Sequence, residues 1–316
     1  MKPVILLTGK NGQLGGELLQ RLPQLGELIA PGRDQLDLSN ADDIRRTIRD
    51  VRPQLIINAA AYTAVDQAEK DEATARAVNE VAAGLMAEEA KEIDATLVHY
   101  STDYVFDGTK KTPYCESDPA NPLNIYGETK YGGEEAIRSS GAAHLILRTS
   151  WLYAPRGRNF LLTILRLATE REELRIVDDQ VGAPTCASDL AAATCKVLAD
   201  AAERNGGQFV FPEVSGTYHL SAAGRTSWYD FAQAILKAAT AGSQSPSWLL
   251  EATKGRPFVV ERLIPISTEE FSAPARRPAF SVLSNSRLLH TFGLALPDWR
   301  AQLKQCFVLD TIAAGR

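Results

Sequence analysis

The stretch VILLTGKNGQLGGEL, residues 4–18, decides which fold the sequence predicts. It runs from an apolar segment through Gly9, Gly12 and Gly15 into residues with helical spacing. Glycines lack a Cβ atom, so the turn can be tight and a pyrophosphate can approach the backbone N–H groups at the start of the helix. The segment therefore predicts a strand, a phosphate-binding loop and a helix, which is how a dinucleotide-binding fold begins.

The same alternation continues along the first half of the chain. Apolar runs at residues 27–30, 54–59, 96–101 and 144–149 predict strands, and helical patterns lie between them at 13–22, 40–51, 64–91 and 126–139. The runs are almost continuously apolar, as expected of parallel strands that are covered on both faces. We therefore predict an α/β fold with a Rossmann-type doubly wound parallel sheet.

The second half is less regular and predicts a smaller C-terminal α/β substrate lobe. Helical patterns occur at residues 159–171, 187–204 and 226–239, a short strand at 217–221, and a last helix from about residue 297. Because a domain has about 150 residues, two domains are expected in a chain of 316. We predict an NAD(P)-binding Rossmann domain at 1–173, onto which helix 187–204 packs back, and the lobe at 174–316.

Composition excludes several classes of protein. Apolar residues make up 45% and charged residues 23%, with a net charge of −5 and no cluster of Lys and Arg, so we expect no nucleic-acid partner. No apolar run approaches the roughly 20 residues that span a bilayer, so we expect no membrane segment. The cysteines and histidines are scattered, which predicts free thiols, no zinc site and a cytoplasmic location.

The segment APGRDQLDLSN, residues 30–40, follows the second predicted strand, where the adenosine ribose is expected. An acidic residue there favours NAD, whereas an arginine suits the 2′-phosphate of NADP. Arg33 and Asp34 are adjacent, so both cofactors stay open; Arg33 favours NADPH, unless it is only a solvated turn residue. Asp37 and the backbone N–H of Leu38 are placed to hold the adenine amine.

A small-residue segment, NAAAYTAVDQAE at residues 58–69, ends the third predicted strand. Its alanines predict a floor on which a flat ring and a ribose can lie. We expect Ala61, Tyr62 and Thr63 to contact the cofactor, although close packing of helix on strand explains the alanine equally well.

The segments HYSTDYVFDG, residues 99–108, and NIYGETKYGGEEAI, residues 124–137, hold the candidate catalytic residues. Thr102 lies at the carboxyl end of a predicted strand, and Tyr126 and Lys130 are one helical turn apart, so they share a face. A nearby ammonium lowers the pKa of a phenol, which then donates a proton to a carbonyl oxygen. Thr102 would hold that oxygen, and Lys130 would bind the nicotinamide ribose; the alternative is a chance Tyr-x-x-x-Lys on the surface.

Six segments together, TGKNGQLG, NAAAYTAVDQAE, YSTDYVFDG, NIYGETK, RTSWLY and DDQVGAPT, resemble the dTDP-4-dehydrorhamnose reductases, which are extended short-chain dehydrogenase/reductases. The resemblance covers nearly the whole chain. It implies NAD(P)H-dependent reduction of a dTDP-linked deoxy-hexulose to dTDP-L-rhamnose, with the C-terminal lobe binding the sugar nucleotide. It further implies that Tyr126 donates the proton, that Thr102, Asp103 and Trp151 contact the substrate, and that the cofactor phosphates meet Asn11, Gly12, Gln13 and Leu14.

The resemblance extends to a distal segment and leaves metal and assembly open. In ARRPAFSVLSN, residues 275–285, Arg276 or Arg277 would pair with the substrate diphosphate or would lie at the rim as a simple surface charge. Some members of the family are described as magnesium-bound dimers, so Mg²⁺ and a homodimer stay open. Glu17 fits one ligand position, but Ser188 occupies the place of a second carboxylate and Asp189 follows it, so we assign no metal ligand.

Two other functions stay open at this point. The regulatory β subunit of methionine adenosyltransferase resembles the same family, binds NADP and acts as a partner protein. A related reductase, epimerase or dehydratase would act on a different sugar, but dehydratases carry Asp-Glu after the strand-end Thr, where this chain has Asp103 and Tyr104. The intact set of Thr102, Tyr126 and Lys130 favours a reductase.

Overall fold

The computed structural model describes residues 2–209, 211–241 and 245–308. The outer limits of the two predicted domains, residues 1 and 316, lie outside the described residues. The strands are β1 Val4–Thr8, β2 Glu27–Ile29, β3 Leu55–Asn58, β4 Thr96–Thr102, β5 His144–Thr149, β6 Leu152–Tyr153, β7 Glu173–Val177, β8 Val181–Gly182, β9 Thr185–Cys186, β10 Gly216–His219, β11 Thr226–Ser227 and β12 Arg262–Ile266. The five strands predicted in the first half are all present.

Helices are present at every predicted position, and three short helices at residues 247–253, 268–271 and 286–292 were not predicted. They are α1 Gln13–Arg21, α2 Ala41–Val51, α3 Val65–Ala68, α4 Glu72–Arg76, α5 Ala82–Glu92, α6 Ile125–Ser140, α7 Phe160–Ala168, α8 Ala187–Arg204, α9 Trp228–Ala241, α10 Ser247–Thr253, α11 Thr268–Phe271, α12 Ser286–Phe292 and α13 Trp299–Val308. Short 3-10 turns lie at Leu22–Gln24, Asp103–Val105 and Pro212–Val214. The pattern predicted as one helix at 64–91 is divided into α3, α4, a π-helical turn at Ala77–Val81 and α5.

A six-stranded parallel sheet in the order β10-β5-β4-β3-β1-β2 forms the centre of the protein. The chain passes from β1 to β2 on one side and then crosses to β3 on the other side. Such a reversal opens a crevice at the carboxyl ends of the strands, which is where α/β sheets bind their ligands. The predicted α/β fold with a doubly wound parallel sheet is confirmed.

Both faces of this sheet are buried, which explains the unbroken apolar strands. Ile5 and Leu7 of β1 belong to one apolar cluster with residues of α1 and α8. Leu6, which lies between them, belongs to a second cluster with residues of α2 and α5 on the opposite face. Successive side chains of a strand point to opposite faces, so a strand covered on both sides needs apolar residues throughout.

The chain after residue 173 returns twice to this sheet. Helix α8 lies against α1 and adds Leu190 and Val197 to the same cluster, and β10 forms the sixth strand beside β5. A third apolar cluster, with residues of α7, α9 and α13, forms a separate layer. A domain limit at residue 173 stays a prediction, and β10 shows that residues after it complete the first sheet.

The π-helical turn at Ala77–Val81 positions the loop after β3. Asn79 in this turn is 1% exposed, and its side chain bonds to Tyr62 at both the backbone N–H (2.8 Å) and the carbonyl (3.1 Å). It also donates to the Thr129 hydroxyl of α6 at 3.1 Å. This interruption of the helix therefore ties the loop at residues 60–63 to the helix that holds Tyr126 and Lys130.

Candidate active site

The glycine loop between β1 and α1 has the shape that a phosphate requires. Gly9 has φ +76°, and a Cβ atom there would lie 2.7 Å from the carbonyl carbon of Ala59. A Cβ atom on Gly15 would lie 2.0 Å from the oxygen of Gly9, so neither position accepts a side chain. Gly12 is the N-cap of α1, and no side chain caps the helix, so its first N–H groups face the crevice. These features fit a pyrophosphate.

A first cavity of about 460 Å³ extends from this loop towards the carboxyl end of β2. Five of the residues predicted for the adenosine side of the cofactor lie in its wall, namely Arg33, Asp37, Leu38, Ala61 and Tyr62, together with Gly9, Asn11 and Gly12. Lys10, which sequence reasoning did not select, lies in the same wall and donates from Nζ to the Ala30 carbonyl at 2.7 Å. Two cations, Lys10 and Arg33, therefore face one cavity.

Asp37 is already engaged by its own turn. Its Oδ1 accepts from the Ser39 backbone N–H at 2.9 Å and from the Ser39 hydroxyl at 2.8 Å. These bonds lower the pKa of Asp37, with the charge of Arg33 as a smaller contribution. The predicted contact of Asp37 with an adenine amine stays a prediction.

A second cavity of about 680 Å³ shares the glycine loop with the first and reaches the carboxyl ends of β4 and β5. The remaining predicted site residues all lie in its wall, namely Gln13, Leu14, Thr63, Thr102, Asp103, Tyr126, Lys130 and Trp151. The structure thus brings together residues that are up to about 140 positions apart in the chain. The cofactor candidates and the catalytic candidates form one continuous crevice.

Tyr126 lies in the first turn of α6, which begins immediately after the N-cap Asn124. The Asn124 side chain accepts from the Gly127 N–H at 2.8 Å and donates to the Arg276 carbonyl at 2.7 Å, which ties the helix start to the distal segment. Burial raises the pKa of Tyr126 to about 12, while the Thr102 hydroxyl opposes the rise. The expected lowering of this pKa is wrong for the protein alone, because loss of water outweighs the favourable contacts.

Lys130 points into the sheet as well as into the cavity. Its Nζ lies 2.6 Å from the Tyr100 carbonyl and 2.9 Å from Nε2 of His99, and the residue is 2% exposed. Burial lowers the pKa of Lys130 to about 8, and the charge of Glu134 opposes this. Sequence reasoning did not select His99, although it stands in the same strand as Thr102 with an apolar residue before it.

Asp103 is a buried carboxyl group beside the candidate catalytic pair. It is 2% exposed, and its Oδ1 accepts from the Thr102 hydroxyl at 3.1 Å. Burial raises the pKa of Asp103 to about 6, and the hydroxyls of Ser281, Thr102 and Ser150 oppose the rise. Near neutral pH this carboxyl group is therefore protonated in a larger fraction of molecules than an exposed aspartate is.

The sugar side of the cavity is an aromatic wall. Trp151 has φ +46° and stacks on Trp228, with ring centroids 3.5 Å apart. Gly182 packs closely against the same ring, because a Cβ atom there would approach it to 2.3 Å. Trp228 also lines the cavity, and its Nε1 donates to Gln180 at 3.2 Å. Sequence reasoning missed Trp228, because it was placed only as part of a helical pattern.

Comparison with known proteins agrees with this arrangement. The family described as the RmlD substrate binding domain matches residues 1–311. A dTDP-4-dehydrorhamnose reductase of Burkholderia thailandensis is 48% identical over 304 residues, which are 96% of this chain and 97% of that relative. The chain belongs to the dTDP-4-dehydrorhamnose reductase family. The resemblance inferred from the six sequence segments is confirmed.

Two further members of the dTDP-4-dehydrorhamnose reductase family are similar to this chain, one compared by sequence and one by structure. The reductase of Escherichia coli strain K12 is 43% identical over 306 residues, covering 95% of this chain and 96% of that one. The crystal structure of the Bacillus anthracis reductase in complex with NADP has a TM-score of 0.83 and 36% identity, covering 98% of this chain and 99% of that chain.

Arg277 of the distal segment is already held by a carboxylate of this chain. Arg277 forms a two-point ion pair with Asp66, with N–O distances of 3.0 and 2.8 Å. Its side chain also lines a small cavity of about 210 Å³ together with Arg175 and Trp228. A contact between Arg277 and a substrate diphosphate stays a prediction, and it would compete with Asp66.

The metal implied for some family members does not fit the residues around Glu17. The Glu17 carboxylate is paired with Arg21 at 2.9 Å and with Arg156, and Arg21 also donates to Ser188 at 2.9 Å. Guanidinium groups occupy the oxygen atoms that a magnesium ion would need. Among the described residues, no three His, Cys, Asp or Glu side chains are grouped to hold a metal.

Within residues 2–209, 211–241 and 245–308, none of the helices has the length and apolar character needed to cross a bilayer.

Proposed function

We propose that this chain is an oxidoreductase that reduces the 4-keto group of dTDP-4-dehydro-L-rhamnose to give dTDP-L-rhamnose, with NADPH as the reductant. The observation that carries the proposal is the position of Tyr126. It lines one cavity with Thr102, Asp103 and Lys130, and that cavity opens onto the glycine loop. Membership of the reductase family supports the choice of substrate.

The cofactor would occupy the crevice formed by the two cavities. Gly9, Asn11, Gly12, Gln13 and Leu14 would hold the pyrophosphate at the start of α1. Arg33, Asp37, Leu38, Ala61, Tyr62 and Thr63 would surround the adenosine half and the adjoining ribose. When bound, NADPH supplies the hydride; the chain supplies position and the proton.

Tyr126 would deliver the proton to the 4-oxygen of the sugar. Burial holds its pKa at about 12, so the phenol is protonated at neutral pH and is ready to donate. An alkoxide is a stronger base than a phenolate, so the transfer is favourable as negative charge develops on the oxygen. Thr102 would donate to the same oxygen and fix its direction, and Lys130 would hold the nicotinamide ribose.

The sugar would lie between the catalytic residues and the aromatic wall. Asp103 and Thr102, which line this cavity, would contact its hydroxyl groups, and Trp151 would present an apolar ring to its less polar face. The ring of a 6-deoxy sugar has an apolar patch, which suits stacking on an indole.

The test is an NADPH-oxidation assay with the freshly generated 4-keto sugar nucleotide. Turnover with the dTDP-linked ketone, and none with UDP-linked analogues, would support both the reaction and the base preference. A parallel assay with NADH would establish whether NADH also serves as the reductant. Binding of NADPH without any turnover would instead favour the regulatory-subunit function.

Assembly and location stay predictions. The homodimer is suggested by the family resemblance and the cytoplasmic location by the scattered cysteines, and size measurement in solution would test the first. The division into residues 1–173 and 174–316 is retained as a proposal about which parts bind cofactor and sugar nucleotide.

A further inference from the structure

The loop between β6 and α7, residues 154–159, forms a strap that lies against the first two turns of α1. The Arg156 guanidinium pairs with the carboxylate of Glu17 in α1. A Cβ atom on Gly16 would lie 2.8 Å from Cζ of Arg156, so the guanidinium packs directly on the helix backbone. Because Glu17 is 6% exposed, the carboxylate end of this ion pair lies out of the solvent. The strap is thereby fastened to α1.

A second attachment joins the strap to Gln13, the first residue of α1. Asn159 is the N-cap of α7, and its Oδ1 accepts from the Leu162 N–H at 3.0 Å. Since a backbone N–H group only donates, the other end of the Asn159 amide is its NH₂ group. This NH₂ group donates to Oε1 of Gln13 at 2.7 Å. The NH₂ group of Gln13 then lies 3.5 Å from the Arg158 carbonyl, so the strap also follows the start of the helix.

These two attachments place Arg158 at the glycine loop. Its side chain lines the cavity of about 680 Å³ that also contains Asn11, Gly12 and Gln13 in its wall. Gly157, immediately before it, has φ +75°, a left-handed conformation that turns the chain at this point. Arg158 is exposed, and within residues 2–209, 211–241 and 245–308 no carboxylate pairs with its guanidinium. This guanidinium is available to an anionic ligand.

The charges of the cavity wall favour an anion at this end. The glycine loop offers backbone N–H groups and the positive end of the α1 dipole, but no full charge. Among the described residues of the wall, the cations are Arg158 and Lys130. Lys130 lies at the β4 end, where its Nζ bonds to the Tyr100 carbonyl at 2.6 Å. Arg158 is therefore the cation at the glycine-loop end of the wall.

We propose that Arg158 binds the pyrophosphate of the cofactor, and that Arg156 is a positioning residue that holds the strap through Glu17. The inference rests on the proposed function for its ligand, a nicotinamide dinucleotide in the crevice. A guanidinium donates in a fork to phosphate oxygens, so the strap supplies the charge and α1 supplies the backbone N–H groups. NADPH and NADH share the pyrophosphate, so Arg158 serves both, whereas Arg33 would distinguish between them.

The first test measures cofactor binding by calorimetry on the full-length chain without sugar nucleotide. Arg158→Met removes the charge and keeps an unbranched side chain. We expect the Kd values of NADPH, NADH and ADP-ribose to rise by similar factors, roughly 5- to 20-fold, as for a charge-assisted bond made by an exposed side chain. Adenosine 2′-monophosphate lacks the pyrophosphate and should bind unchanged. Arg158→Lys keeps the charge and should retain most of the affinity.

The matched control for this test is Arg256→Met, at an exposed position outside both cavity walls. Unchanged Kd values for NADPH and NADH in Arg158→Met would overturn the proposal. An equal loss for adenosine 2′-monophosphate would also overturn it, because the substitution would then act on the fold and not on the pyrophosphate. So would weaker binding of the sugar nucleotide alone, which would assign Arg158 to the diphosphate of the substrate.

The second test asks whether Arg156 acts through Arg158. Arg156→Met releases the strap from Glu17 and should raise the Kd of NADPH, but it should have little further effect in the Arg158→Met background. Arg21→Met is the matched control, because it removes the other guanidinium on Glu17, at 2.9 Å, and leaves the strap untouched. It should not change the Kd. Additive losses in the double variant, or equal losses in Arg156→Met and Arg21→Met, would overturn the positioning role.

Both tests measure cofactor binding without the ketone, so their outcome is separate from the proposed activity. If Arg158→Met weakens NADPH binding and the unaltered chain fails to reduce the ketone, the proposed function fails alone. If the unaltered chain is active and Arg158→Met binds NADPH equally tightly, the inference about Arg158 fails alone. A chain that binds neither NADPH nor NADH would overturn both.

Discussion

The indole rings of Trp151 and Trp228 lie face to face, with their centroids 3.5 Å apart and their planes 4° from parallel. Trp151 follows β5 and Trp228 begins α9, so the stack joins the central sheet to the second layer. The left-handed backbone of Trp151, φ +46°, costs about 1–2 kcal/mol for a residue with a side chain. The stack and the contact with Gly182 offset that cost and hold the indole at the cavity wall.

Loss of this stack should weaken substrate binding more than turnover. In Trp228→Ala, Trp151 loses the ring that fixes its orientation, and an aromatic pair contributes about 0.5–1.5 kcal/mol beyond its buried area. We expect the KM for the sugar nucleotide to rise roughly 3- to 10-fold, measured by initial rates of NADPH oxidation. Trp248→Phe, in the separate contact with Phe307, is the matched control. An unchanged KM in Trp228→Ala would contradict the role of the stack.

Removal of the Tyr126 hydroxyl should abolish most turnover and leave cofactor binding nearly intact. Tyr126→Phe keeps the ring and its edge contact with Tyr104, whose centroid lies 5.9 Å away, but it cannot donate a proton. A fall in kcat of about 10²–10⁴-fold is expected of a lost general acid. Fluorescence titration with NADPH provides the control, since its Kd should change little. A variant with the rate of the unaltered chain would show that Tyr126 is not the donor.

Replacement of Arg33 should discriminate between the two cofactors. Arg33 lies in the wall of the adenosine cavity, and a charge-assisted bond to a 2′-phosphate is worth about 1.5–3 kcal/mol. We expect Arg33→Ala to weaken NADPH binding about 10- to 100-fold and NADH binding much less, as measured by calorimetry. Arg171→Ala, at an exposed position away from both cavities, is the control. Equal losses for both cofactors would show that Arg33 does not contact the phosphate.

Removal of the buried charge at Asp103 should stabilise the fold at neutral pH. Burial raises the pKa of Asp103 to about 6, whereas an unfolded aspartate titrates near about 3.9. Between these values the folded chain binds more protons than the unfolded chain, so the contribution of this group to stability falls as the pH rises from about 4 to 6. We therefore expect Asp103→Asn to raise the free energy of unfolding at pH 7 by about 1–3 kcal/mol.

Urea unfolding at pH 7 and pH 4 measures this difference, which should shrink at the lower pH. The exposed Asp94→Asn variant serves as the control. The stabilised variant should also lose activity, because the carboxyl group lies in the cavity and stability is often traded for function at such sites. Lower stability of Asp103→Asn at pH 7 would mean that its hydroxyl neighbours outweigh burial.

The sequence by itself determined the layered architecture and the position of the cofactor loop, because both depend on local patterns. Unbroken apolar runs such as VILLT are needed where a strand is covered on both faces, and glycines at 9 and 15 are needed where a side chain would collide with backbone. The tyrosine and lysine one helical turn apart also lie near each other for a local reason.

Only the tertiary structure decided what surrounds those residues. Trp228 reaches the site from a distant segment, and contacts with Ala30 and Lys130 orient Lys10 and His99. Strand β10 completes the first sheet from a part of the chain assigned to the second lobe. The pKa of Tyr126 moved opposite to the sequence expectation, because exclusion of water is a property of the folded cavity. Spacing along a chain places groups on one face, but packing from other elements sets their solvation and their bonding partners.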